Sequence, residues 1–188
     1  NWEGAYRVPA MIRWPGKIKS GSISNDIVQH HDWMPTFLAM AGDPKVIEKL
    51  KNGYKAIGRT YKNHIDGFNL LPYLTAEVSE SPRNFFFYIS DDGDMLAMRY
   101  DNWKIVFMEQ RSKGTLQVWA EPFTRLRVPK LFNLRTDPYE IADITSNTYW
   151  DWVFHNDFLI FAAQRLAMKF AETFKEFPVI QKPNTFTV

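Results

Sequence analysis

The chain has 188 residues, 45% of them hydrophobic and 23% charged, with a formal net charge of +2, an ordinary globular composition with enough length for a core. Its basic residues are scattered rather than clustered, so no nucleic-acid or membrane-surface partner is expected, and no stretch approaches the ~20 apolar residues of a transmembrane segment. Cysteine is absent, which excludes disulfides, Cys-based zinc sites and a thiol nucleophile, and leaves the compartment unassigned.

The chain opens on Asn1-Trp2-Glu3-Gly4, without Met and without the charged-then-apolar pattern of a signal peptide, and reads as the middle of something longer. Arg7 to Trp14 is a short apolar run that reads as a strand, ended by the turn signal Trp14-Pro15-Gly16; Ile23 to Val28 predicts a second extended piece. Asp32 to Ala41 predicts a helix, with Asp32 as N-cap, Pro35 in the first turn and Gly42 as the stop. Residues 43–64 are polar with weak periodicity and read as a loop or frayed helix. Ile65-Asp66-Gly67 predicts a tight turn before one helical turn over residues 68–74.

From residue 83 the pattern changes to strands: Asn84 to Ile89, Met95 to Tyr100 and Trp103 to Met108, separated by Asp91-Asp92-Gly93-Asp94 and Asp101-Asn102. This is the spacing of an antiparallel meander. Lys130 to Leu134 predicts a further short strand before Asp137-Pro138. One long helix is expected over about 149–177, with Phe154, Phe158, Phe161, Leu166, Phe170, Phe174 and Phe177 as a stripe packed on the sheet. The expected C-terminal architecture is therefore α+β, an antiparallel sheet packed by a long C-terminal helix.

Several polar groups invite a chemical reading. Asp91, Asp92 and Asp94 are carboxylates close enough for calcium, but the EF-hand pattern is missing and a hairpin turn accounts for them. His30, His31 and Asp32 diverge on a helix and lack a third ligand at a metal-binding spacing; Asp32 as cap and His31 as buried hydrogen-bonder is the favoured reading. His64 is assigned to its turn and His155 to the polar side of the last helix. Asp137 and Glu140 belong to a turn. Arg99, Trp103, Arg111 and Trp119 are candidates to line a substrate cleft, although strand aromatics more often serve the core.

Trp2-Glu3-Gly4-Ala5-Tyr6-Arg7-Val8-Pro9 followed by Ile12-Arg13-Trp14-Pro15-Gly16 resembles a signature of the sulfatase family, as does Asp32-Trp33-Met34-Pro35-Thr36 ending in Ala41-Gly42. Ile65-Asp66-Gly67, Leu70 to Leu74, Trp103-Lys104, Leu131 to Leu134 and Asp137 to Glu140 follow in the family's order, and the tail Thr173 to Phe186 resembles the end of bacterial-type arylsulfatases. The resemblance implies the last part of an alkaline-phosphatase-like α/β enzyme, with residues 1–80 ending the large domain and 81–188 forming a C-terminal subdomain of antiparallel strands and a helix. It further implies hydrolysis of sulfate monoesters, a formylglycine made within Cys/Ser-x-Pro-x-Arg, a calcium ion, and a periplasmic or secreted location.

The chain departs from the family at the chemistry. It has no Cys/Ser-x-Pro-x-Arg; Ser81-Pro82-Arg83 has the wrong spacing. The family's paired Asp ligands and its Asp-Asn pair are absent, and its catalytic Lys falls upstream of Glu3. No catalytic, cofactor-binding or metal residue is therefore assigned, and the expected partner is a missing N-terminal sulfatase domain. A non-catalytic module binding a sulfated glycan or protein, or part of a phosphoester or phosphonate hydrolase of the same superfamily, are the alternatives.

Overall fold

The computed structural model describes residues 1–112 and 114–180; the predicted tail beyond residue 180 lies outside them. In chain order the elements are α1 (Glu3–Tyr6), a 3-10 turn (His30–Asp32), α2 (Trp33–Met40), α3 (Val46–Asn52), β1 (Tyr54–Ala56), β2 (Arg59–Tyr61) and α4 (Leu71–Leu74). They continue with β3 (Phe85–Ile89), β4 (Met95–Tyr100), β5 (Trp103–Glu109), α5 (Gln117–Ala120), β6 (Thr124–Asn133), α6 (Ala142–Thr145), α7 (Tyr149–His155) and α8 (Asp157–Glu176). Two compact units emerge, residues 1–9 with 85–188 and residues 10–84. Among the described residues no helix is long and apolar enough to cross a membrane.

The first unit is built on a four-stranded antiparallel sheet in the order β3-β4-β5-β6. The expected α+β arrangement, an antiparallel sheet with a long closing helix, is observed. Register places Phe86 opposite Arg99, Arg99 opposite Lys104, and Lys104 opposite Phe132. Strand alternation then assigns these four side chains to one face of the sheet, and Phe87, Met98, Ile105 and Leu131 to the other. The second face receives the closing helices, with Phe170 stacked 4.5 Å from Phe87 and Trp152 stacked 6.2 Å from Trp103. On edge strand β6, the backbone N–H of Leu131 donates to the Tyr149 hydroxyl, which in turn donates to the Leu131 carbonyl. One buried tyrosine thus satisfies groups that an edge would leave unpaired.

The predicted single helix over 149–177 is two helices. Asn156 interrupts it at φ −115° and ψ 21°, its side chain donating to the Trp152 carbonyl while its N–H turns to Val153. Short polar side chains that bond nearby carbonyls compete with the helical ladder. The expected phenylalanine stripe is also corrected. Phe154, Phe158, Phe161 and Phe174 are exposed, while Val153, Ile160 and Ala163 are buried. Of the stripe, Phe170 does meet the sheet, stacked on Phe87, while those four rings stay exposed.

In the second unit, residues 43–64 contain more structure than their weak periodicity suggested: α3 and the β1–β2 hairpin, paired Tyr54 to Tyr61 and Ala56 to Arg59. No strand forms over Arg7 to Trp14 or Ile23 to Val28. Lys130 to Leu134 proves to be the end of a ten-residue strand, β6. The burial pattern makes a direct prediction. Phe132→Ala should cost about 3–5 kcal/mol in denaturant unfolding, because Phe132 is 1% exposed, whereas Phe158→Ala should stay within about 0.5 kcal/mol.

Candidate functional site

Each unit contains a buried charge cluster. In the second, the Asp32 carboxylate has no exposure and accepts the backbone N–H groups of Gln29 and Phe68 at 2.8 Å each. Arg83, 4% exposed, closes a bidentate pair on it through Nε at 2.7 Å and a terminal nitrogen at 2.6 Å. The same guanidinium donates to the Asp66 carbonyl and to His31 Nε2. Asp32 therefore does not cap α2 with its side chain; a charge-assisted pair in a dry setting holds it instead. Gly67 is required here, because a Cβ would fall 2.1 Å from the His31 carbonyl oxygen.

Arginine only donates, so His31 must accept at Nε2 as neutral imidazole. Its side chain is hydrogen-bonded as expected, although the residue as a whole is exposed rather than buried. Partial desolvation of the ring and then the Arg83 charge hold its pKa below the usual histidine value; Asp32 and Asp66 oppose this and His30 adds to it.

The first unit's cluster lies on the sheet face opposite α8. Lys104 has no exposure, and its Nζ sits 2.5 Å from Glu140 Oε1, 3.8 Å from Glu3 Oε1 and 2.7 Å from the Asn1 carbonyl. The Tyr88 ring lies 4.2 Å away. Glu3, 6% exposed, accepts from the Tyr88 hydroxyl and from Arg99 at 2.9 Å, while its backbone N–H donates to Glu140 at 2.7 Å. Burial pushes the Lys104 ammonium below the usual lysine value, against the pull of Glu140 and Glu3. Asn1 and Trp2 complete the attachment by donating to the carbonyls of Met108 and Gln110.

Beside this cluster opens a groove of about 680 Å³, whose walls include Trp2, Glu3, Gly4, Arg7, Arg111 and Tyr139. Arg111 packs 4.4 Å over the Trp2 ring and pairs with Asp143 at 2.5 Å. Of the four cleft candidates, only Arg111 lines this groove. Arg99 is engaged by Glu3, Trp103 by Trp152, and Trp119 is exposed on α5. Glu140, read as part of a turn, has a second role as the buried partner of Lys104, while Asp137 accepts the N–H groups of Ile141 and Ala142. Residues 90–94 form a turn in which Ser90 and Asp94 bond each other's backbone.

Calcium and formylglycine do not fit the residues present. Among the described residues no group of three or more His, Asp or Glu is arranged to hold a metal. The buried carboxylates are already matched to Arg83, Arg99 and Lys104. The chain contains neither cysteine nor a Ser-x-Pro-x-Arg sequence from which formylglycine could be made.

Comparison with known proteins agrees with the order of these features. Residues 81–184 match the family described as the C-terminal region of aryl-sulfatase, and residues 1–43 match the family described as sulfatase. The chain belongs to the sulfatase family. Human steryl-sulfatase is 31% identical over 77% of this chain and 25% of its own length, and human arylsulfatase A is 30% identical over 74% and 26%. A sulfatase from Pseudoalteromonas sp., known from its crystal structure, shares the fold with a TM-score of 0.65 at 24% identity, over 89% of this chain and 30% of that one. The chain thus spans about a quarter of the length of the curated sulfatases it matches.

The His31 contact carries a pH signature. Folding holds this imidazole below the 6.5 of a free one, so the unfolded chain takes up the proton first as the medium is acidified. Its contribution to stability is complete above about pH 6.5 and falls below it. Thermal melting followed from about pH 7 to about pH 5.5 should show a declining midpoint, and His31→Gln should flatten that decline.

Proposed function

We propose that these residues are the C-terminal part of an arylsulfatase that hydrolyses sulfate monoesters to an alcohol or phenol and inorganic sulfate. The observation that carries the reading is the match of residues 81–184 to the C-terminal region of aryl-sulfatase. In this reading residues 1–80 end the large alkaline-phosphatase-like α/β domain, and residues 81–188 form the C-terminal subdomain. The catalytic residues, calcium and formylglycine belong to the rest of the enzyme, and the chain alone is inactive.

Two features support the assignment. The titratable groups buried in this chain are committed to one another, which suits a structural role better than proton transfer. Apolar side chains before the first long helix are also uncovered, with Val8 at 61%, Met11 at 101% and Ile23 at 89% exposure. Such residues fit a surface that another part of a larger enzyme covers.

The reading is tested by arylsulfate hydrolysis with calcium, comparing these 188 residues with the natural full-length protein. Activity in the full-length protein alone is expected. Turnover by the 188 residues would contradict the assignment of catalysis elsewhere. A folded full-length protein that cleaves phosphoesters or phosphonates but not sulfate esters would replace the substrate class.

A further inference from the structure

The outer side of α8 carries a residue spacing that its packing within the unit does not use. Ile160 and Ala163 are buried and Phe170 stacks on Phe87, which defines the inner side of the helix. On the opposite side, Phe158, Phe161, Arg165, Met168 and Glu172 recur at alternating steps of three and four residues. Phe158, Phe161 and Met168 are each more than half exposed. This alternation is the seam spacing of a helix that meets another helix along its length.

Two charges of opposite sign stand in that seam. Arg165 and Glu172 are exposed, and neither makes an ion pair or a side-chain hydrogen bond among the described residues. Two turns of helix, about 10 Å, separate them, so they do not pair along their own helix. Met168 and Lys169 lie midway between them. A second helix running antiparallel about a two-fold axis at that midpoint sets each arginine on the other copy's glutamate, so one symmetry operation forms both pairs. A parallel copy would set arginine on arginine and glutamate on glutamate.

We propose that the outer side of α8 is a symmetric dimer interface, occupied by α8 of a second copy of this chain in antiparallel orientation. Met168 meets its counterpart at the axis, and Phe161 packs on the partner helix to either side. Phe158 stays at the rim, where contacts contribute little. Arg165 pairs with the partner's Glu172, and Glu172 with the partner's Arg165. Residues 1–6 meet the sheet on the Lys104 face, so the junction with any preceding chain lies across the sheet from this interface. The inference does not depend on the sulfate-ester reading.

The test follows the natural full-length protein by sedimentation velocity from about 1 to about 100 µM, together with its Arg165→Glu and Glu172→Arg variants. The unaltered protein should be a dimer at the upper end of that range. Each variant places two like-charged contacts in the interface, so its dissociation constant should rise at least about tenfold. Both positions are exposed, so melting temperatures at the lowest concentration should not change. An equimolar mixture of the two variants regains both opposite-charge pairs in a mixed dimer, and should associate within about threefold of the unaltered protein. A monomer throughout the range would overturn the proposal, as would a dimer indifferent to both substitutions. A mixture that associates no better than either variant alone would also overturn it, because the seam would then be covered by another part of the same molecule.

Discussion

An ammonium group with no solvent contact must be met by anions and carbonyls on the spot, and Lys104 imposes that requirement on the sheet. Its position on β5 sets it on the face opposite α8, so that face needs its own cover. Residues 1–6 and the turn at Glu140 supply it, bringing Glu3, the Asn1 carbonyl and Glu140 to the same nitrogen. Leaving any one member unpaired in such a setting is costly, whereas the complete set holds one geometry. The attachment of the first residues to the C-terminal sheet, and the groove between them, follow from satisfying that single charge.

The second unit applies the same logic with a different cation. Arg83 presents a planar fork to Asp32, and Asp32 accepts the backbone of Gln29 and Phe68 as well. Three stretches distant in sequence are tied at one carboxylate. Arginine suits this task because its donors have fixed directions and it keeps its charge when buried. The closeness of Gly67 to the His31 carbonyl shows how tightly these stretches meet.

Much of the architecture was legible in the sequence because short strands with Asp- and Gly-containing turns declare themselves locally. Strands β3 to β5 and the helix at Trp33 were anticipated on that basis. Local pattern misled where tertiary contact decides: the phenylalanines of α8 recur at helical spacing, and Phe170 stacks on Phe87, yet Phe158, Phe161 and Phe174 are exposed while Ile160 and Ala163 are buried. The ordered family motifs identified the region containing the groove, yet the partners of Glu3, Lys104, Arg83 and Glu140 were not visible. A buried charge is recognised only by what surrounds it, and those surroundings lie up to 137 residues away in the chain. The sole hint was that Glu3, Lys104 and Glu140 each fell within a family motif.

The account therefore turns on whether Lys104 holds residues 1–6 against the sheet. Residue-resolved hydrogen exchange of the Glu3 amide tests this most directly, because that N–H is buried and donates to Glu140. It should exchange as slowly as the β5 amide of Ile105 and become fast in Lys104→Met while the β4–β5 amides stay protected. Exchange in the unaltered protein at the rate of an exposed loop such as that at Gly21 would contradict the account.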